Sequence, residues 1–284
     1  MSKSNTSITV TSLKKSYANK EVLKDVSFSV PAGTIYALLG SNGAGKTTII
    51  KILSTLLQPD GGHATVSGFD VVTQANEVRE RISLTGQFVA VDEVLTGREN
   101  LTLIGRLKGL PEVKRKTEEW LTLFHLTDAS DRKVSTYSGG MRRRLDIAMS
   151  LMGNPEILFL DEPTTGLDPQ TRIAMWDLVK GLSAKGTTIF LTTQYLEEAE
   201  YLADNVAILH KGRILVEGTP EDLKKIMPNR GVKLNFTSEK KATKALEILS
   251  ENHIAVTDIE QDLPSLEDVF LTLIDEKKED NQYG

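Results

Sequence analysis

The chain has 284 residues, 39% of them hydrophobic, a formal net charge of -5 at pH 7 and no cysteine. That length fits one large domain or a main domain with an appendage, with enough apolar residues for a packed core. The acidic balance argues against a general nucleic-acid binder, and the lack of cysteine excludes disulfides and thiolate metal sites.

The polar start, Met1-Ser2-Lys3-Ser4-Asn5-Thr6-Ser7, lacks the apolar stretch of a secretory signal. No apolar run approaches the roughly 20 residues that cross a bilayer, so a cytosolic protein is expected. Ile8-Thr9-Val10, Val26-Ser27-Phe28-Ser29-Val30 and Thr65-Val66-Ser67 read as strands, with turn signals at Pro31-Ala32-Gly33 and Pro59-Asp60-Gly61-Gly62. Between them Ile35-Tyr36-Ala37-Leu38-Leu39 is a buried-strand candidate, and residues 46–57 carry helical apolar spacing without Gly or Pro.

Residues 94–152 are mainly helical by pattern, with Leu101, Leu103, Ile104 and Leu107, then Trp120, Leu121, Leu123, Phe124 and Leu126 at helix spacings. A parallel sheet resumes with Glu156-Ile157-Leu158-Phe159-Leu160, Thr187-Thr188-Ile189-Phe190-Leu191-Thr192 and Val206-Ala207-Ile208-Leu209, separated by helices near 171–183 and 196–203. Thr219 and Pro220 open a further helix. Beyond it, strands at 232–236 and 254–259 flank a helical 240–250, followed by 266–274 and a charged end at 275–284.

Two segments carry the chemistry. Gly40-Ser41-Asn42-Gly43-Ala44-Gly45-Lys46-Thr47 has the form G-x-x-x-x-G-K-[ST], between a strand and a helix. Its backbone N–H groups can turn inward around a polyphosphate, with Lys46 expected on the β- and γ-phosphates, Thr47 on Mg²⁺ and the helix N-terminus adding positive charge. ATP-binding duty is assigned to residues 40–47 together with Thr48. The second segment, Ile157-Leu158-Phe159-Leu160-Asp161-Glu162-Pro163, is an apolar strand with two acids at its carboxyl end, where ligands bind in open α/β sheets. Asp161 is expected to partner Mg²⁺, through its outer sphere or a water, and Glu162 to act as general base on the water attacking the γ-phosphate. The triplet Arg142-Arg143-Arg144 reads as a helix face that is solvated or paired to acids, with a specific contact as the alternative.

The order of these motifs, over about residues 8–223, resembles the nucleotide-binding subunit of an ATP-binding cassette (ABC) transporter. The resemblance implies that Tyr17 stacks on adenine, that Gln87 links the Mg²⁺ site to the helical subdomain and ligates the metal, and that Ser138-Gly139-Gly140 is the signature lying over a partner subunit's ATP. Gly166-Leu167-Asp168-Pro169 matches the loop joining the two subunits, which places Asp168 at the nucleotide interface. The implied fold is α/β, a P-loop NTPase of the ABC ATPase type. It has a mainly parallel core sheet, an N-terminal antiparallel β part, a helical subdomain at about 88–152 and a small α+β C-terminal appendage, with domains at 1–220 and 221–284. The implied partners are a second copy of the chain, as a homodimer with ATP at the interface, and an integral-membrane permease on a separate chain; nucleic acid is not expected. The implied location is cytoplasmic, peripheral on the inner face of the cell membrane.

Three departures narrow the match. Met141 stands where glutamine is usual, Tyr137 where leucine is usual, and Gln194 where the family has histidine. An amide can donate a hydrogen bond to a γ-phosphate but cannot relay a proton near neutral pH, so catalytic-base duty falls to Glu162 and γ-phosphate sensing to Gln194. Residues 91–100, 137–146 and 192–196, with Pro264-Ser265-Leu266-Glu267-Asp268-Val269-Phe270, resemble the daunorubicin-resistance type of drug-export ATPase. That implies export of an antibiotic, drug or lipid-like amphiphile. The competing readings are a soluble ABC-type ATPase acting on ribosomes or DNA, and a nucleotide-gated regulatory module with little turnover.

Overall fold

The computed structural model describes residues 6–87, 89–226 and 239–251. The chain divides between Thr219 and Pro220 into two compact units. In the first, the long strands β1 (Thr6–Tyr17) and β2 (Lys20–Pro31) form an antiparallel hairpin joined by β4 (Gly61–Val66) and β5 (Phe69–Asp70), in the order β2-β1-β4-β5. β1 and β2 run well beyond the two short apolar segments visible in the sequence. Their outer halves are held by backbone pairing and interrupted by bulges rather than marked by apolar alternation. One bulge sits where Gly62 (φ 80) faces Ser12 (φ 50): a Cβ on Gly62 would overlap the Ser12 carbonyl, so the expected turn glycine is instead inside the strand.

β3 (Ile35–Leu39), β6 (Ile82–Thr85), β7 (Ile157–Asp161), β8 (Thr188–Thr193), β9 (Asn205–His210) and β10 (Arg213–Gly218) make the second sheet, in the order β10-β9-β3-β8-β7-β6. Every pair in it is parallel except β10 with β9. β3, β7 and β8 are buried along their whole length, which is why β3 and the first four residues of β7 read as unbroken apolar runs. Phe28 of β2 stacks on Tyr36 of β3 at 5.3 Å and on Phe190 of β8 at 5.7 Å, and Phe159 of β7 meets Phe190 at 5.7 Å, so one aromatic column ties the two sheets.

Helix α1 (Lys46–Leu53) is one turn shorter than its apolar spacing suggests, because Thr55 takes a left-handed φ of 64 that no helix can continue. α2 (Ala75–Arg81) precedes β6. Next come α3 (Gly97–Leu107), α4 (Val113–Leu123) and α5 (Gly139–Leu151). α3 starts on a capping box in which Thr96 and Glu99 satisfy each other's backbone N–H. Of its apolar residues only Leu101 is fully buried, and Leu103 and Leu107 are exposed. α6 (Pro169–Ser183) and α7 (Leu196–Leu202) cross between the parallel strands.

The second unit contributes α8 (Pro220–Ile226) and α9 (Glu239–Glu251). The strands expected at 232–236 and 254–259, the segments 264–270 and 266–274 and the charged end at 275–284 lie outside the described residues.

Candidate functional site

The strand order decides what meets at the sheet's carboxyl edge. β3, β8, β7 and β6 are successive parallel neighbours, with Leu39 opposite Thr193, Asp161 opposite Thr192 and Thr85 opposite Leu160. The segments that follow them are the glycine loop, Gln194, Glu162 and Gln87, four sequence-predicted features separated by up to 154 residues and brought to one edge.

The loop is closed by its own lysine. Lys46 Nζ donates to the carbonyls of Gly40 (2.8 Å) and Ser41 (3.3 Å), and Ala44 N–H donates to Ser41 O at 3.2 Å. Two glycines are fixed by their surroundings. A Cβ on Gly40 would lie 2.5 Å from Leu209 O, and one on Gly45, at φ 114, would lie 2.7 Å from Leu23 Cδ2. Ser41, Asn42, Gly43 and Thr47 are exposed, while Ala44, Gly45, Lys46 and Thr48 are buried. A Cβ on Gly43 would meet nothing within 4 Å, so the loop's rim is an open cradle lined by backbone. Tyr17 pairs with Lys20 at the β1–β2 turn and is 46% exposed. Val22 of β2, two residues after Lys20, approaches Gly45.

Across the loop, Glu162 Oε1 lies 3.1 Å from Lys46 Nζ. Glu162 has a left-handed φ of 49, a strained backbone for a residue with a Cβ. Thr192 holds it there: Glu162 N–H donates to Thr192 O (3.1 Å) and to Thr192 Oγ1 (3.2 Å), whose own hydroxyl donates to Asp161 Oδ1 at 2.5 Å. Asp161 is buried and Gln194 half-buried. Gly40 N–H donates to Thr193 O (3.1 Å), which joins the loop directly to the segment carrying Gln194.

Among the described residues no group of three or more His, Cys, Asp or Glu could hold a metal alone. The nearby donors are the exposed Thr47 hydroxyl, the exposed Gln87 amide and the Asp161 carboxylate. Such a hard-oxygen set suits Mg²⁺ held jointly with phosphate oxygens.

Ser138 caps α5, accepting from Met141 N–H at 3.3 Å. Ser138 and Gly139 are exposed, and nothing lies within 4 Å of a Cβ placed on Gly139. Among the described residues no hydrogen bond or ion pair is found between 138–140 and 40–48. Asp168 caps α6, accepting from Thr171 N–H (3.0 Å) and Thr171 Oγ1 (2.6 Å), bonds that lower its pKa. The bulky neighbour of Gly140 is Thr171, so the start of α5 abuts the start of α6.

Of the two alternatives for the arginine triplet, pairing to acids holds for Arg142 and Arg143. Arg142 pairs with Glu93 at 2.7 Å, and Arg144 donates to the carbonyls of Phe124 (3.0 Å) and His125 (3.3 Å). Arg143 is only 4% exposed and faces Asp146 at 3.3 Å. Burial lowers the Arg143 pKa and raises that of Asp146, against their mutual attraction. Sequence reading also passed over Thr192 and Glu198. The i, i+3 spacing of Arg143 and Asp146 was the one signal available for that pair. Thr192 looks like any strand threonine.

Residues 23–165 match the family described as ABC transporter. The chain is 48% identical over 245 residues to the daunorubicin/doxorubicin resistance ATP-binding protein of Streptomyces peucetius, covering 86% of this chain and 74% of that one. It is 42% identical to the Nod factor export ATP-binding protein I of Burkholderia lata, covering 74% and 70%. A solved ATP-binding subunit of an ABC transporter superposes with a TM-score of 0.72 at 27% identity, over 94% of this chain and 99% of that one.

Proposed function

The chain belongs to the ABC transporter family as an ATP-binding, ATP-hydrolysing subunit, and on that premise we propose that it powers export of an amphiphilic antibiotic, drug or lipid-like compound through a membrane permease on a separate chain. The observation that carries the site assignment is the Lys46–Glu162 approach at the carboxyl edge, with Gln194 and Gln87 on the flanking strands' ends.

In this reading the backbone of residues 40–45 and Lys46 bind the phosphates, and Tyr17 faces the adenine. Thr47 and Gln87, with Asp161 through its outer sphere or a water, would hold Mg²⁺, which would supply positive charge to offset that of the phosphates. Glu162 takes the proton from the attacking water, and Gln194 donates a hydrogen bond to the γ-phosphate. The exposed Ser138 and Gly139, with open space beside them, support a homodimer in which each signature covers the partner's nucleotide and Asp168 lies at the junction. The assembly works at the inner face of the cell membrane. Among the described residues no helix is long and apolar enough to cross a membrane.

Purification in mild detergent, followed by ATPase assays with and without the membrane protein that accompanies the chain, tests this reading. Drug-stimulated ATPase activity in the complex is expected. Copurification of nucleic acid without a membrane protein would overturn it.

A further inference from the structure

Arg143 spends its donors on backbone that brackets the two residues assigned to the reaction. Its Nε donates to Pro163 O (2.9 Å) and its Nη2 to Asp161 O (3.4 Å), the carbonyls on either side of Glu162. Its Nη1 donates to Gly86 O (2.7 Å), just before Gln87, and to Asp146 Oδ2 (3.3 Å). Asp146 completes the pattern by accepting from Ala90 N–H at 3.0 Å through its other oxygen, so the stretch containing Gln87 is held at both ends. Both side chains sit on α5, the helix whose N-cap is Ser138.

Burying two ions is expensive, and an apolar pair of similar volume usually packs as well. What an apolar pair cannot do is grip four backbone groups in fixed directions. We propose that Arg143 and Asp146 are positioning residues that lock the signature helix to the backbone around Gln87 and Glu162, so that any shift of the Ser138 end of α5 is delivered to those two side chains. The proposal rests on the reading of Gln87 as part of the nucleotide site.

The test is a double-mutant cycle on the ATPase activity of the full-length chain, using R143Q/D146A, which leaves no orphaned buried charge, together with Q87A and the combination. The expected result is a fall in kcat of about tenfold or more for R143Q/D146A, with KM for ATP nearly unchanged because Lys46 and its loop are untouched. In the Q87A background the same pair should cost less, since the part of its effect that runs through Gln87 is already lost and only the part through Glu162 remains. Equal losses in both backgrounds, or a lower melting temperature with unchanged kcat, would overturn the proposal while leaving the nucleotide site in place. A Q87A variant with wild-type kcat would remove the Gln87 reading and the proposal with it. Should R143Q/D146A not fold, R143Q/D146N, which also removes both charges but keeps an acceptor for Ala90 N–H, carries the same cycle with the same readings.

Discussion

Lys46 Nζ stands 3.1 Å from Glu162 Oε1, with the two side chains only 5% and 10% exposed. The fold sets the cation proposed for phosphate against the carboxylate proposed for water. Glu162→Gln keeps the shape of that side chain and removes its basicity. Turnover should fall by about 10²–10⁴-fold, the usual span for a general base. ATP binding should survive, because Lys46 retains its bonds to Gly40 and Ser41. Phosphate-release and nucleotide-binding assays on the same preparation check both halves, and size-exclusion with ATP should reveal an accumulated dimer. Normal hydrolysis by this variant would sink the assignment.

The two signature glycines should respond differently to alanine. A Cβ on Gly140 would overlap Thr171 Cγ2, whereas Gly139 has open space. Gly140→Ala should therefore destabilise by about 1–3 kcal/mol through overpacking and disturb the Asp168 cap. Thr171→Ser in the same chain should restore the melting temperature, since it drops the methyl but keeps the hydroxyl that donates to Asp168. Gly139→Ala should melt like the parent and lose ATPase activity, because its added methyl meets only the incoming nucleotide. Thermal melts and ATPase rates of the three variants separate steric from functional loss.

Much of this site was legible beforehand because it uses short, local signals. A strand, a glycine loop and a helix follow one another in sequence, and so do the apolar run and acids ending at Glu162. The segments 35–39 and 157–160 fall within β3 and β7 because full burial leaves an unbroken apolar run. The rest depends on distance in the chain. The outer halves of β1 and β2 are strands through pairing rather than pattern, and the Thr192 grip on Asp161 and Glu162 spans about thirty residues. Arg143 was expected to be solvated or paired to acids and does face Asp146, but its backbone partners at 86, 161 and 163 are invisible to a helical wheel.

Replacing Gln194 by histidine tests whether this chain is tuned to an amide. Gln194 is half-buried, and the next residue is anchored by Tyr195 N–H donating to Thr193 Oγ1 at 2.9 Å. A neutral imidazole can present one N–H where the amide presents its own. Gln194→His should keep ATPase activity of the same order, measured across the neutral pH range. Collapse of turnover would mean that γ-phosphate sensing here requires the amide.

Glu198 supplies a pH signature. It is fully buried, and its Oε1 accepts from Thr164 Oγ1 at 2.8 Å and from Trp176 Nε1 at 3.0 Å, tying the loop after Glu162 to α6 and α7. Burial raises its pKa above the ordinary 4.5, against the opposing hydrogen bonds of Thr193, Thr164 and Trp176 and the charge of Arg172. A raised folded-state pKa means that the folded chain keeps this proton after the unfolded chain has released it. Its contribution to stability is therefore full below the ordinary value and declines as pH climbs toward the folded-state value. Glu198→Gln keeps the Oε1 acceptor and deletes the titration. The melting temperature of Glu198→Gln relative to the parent should thus rise as pH climbs above the ordinary value. The other shifted acids, Asp146 and Glu217 upward and Asp60, Asp70, Asp131 and Asp168 downward, are common to both chains and cancel in that difference. Parallel curves across the range would show that the folded protein does not hold Glu198 in its neutral form, and would leave its two donors bonded to a charged carboxylate.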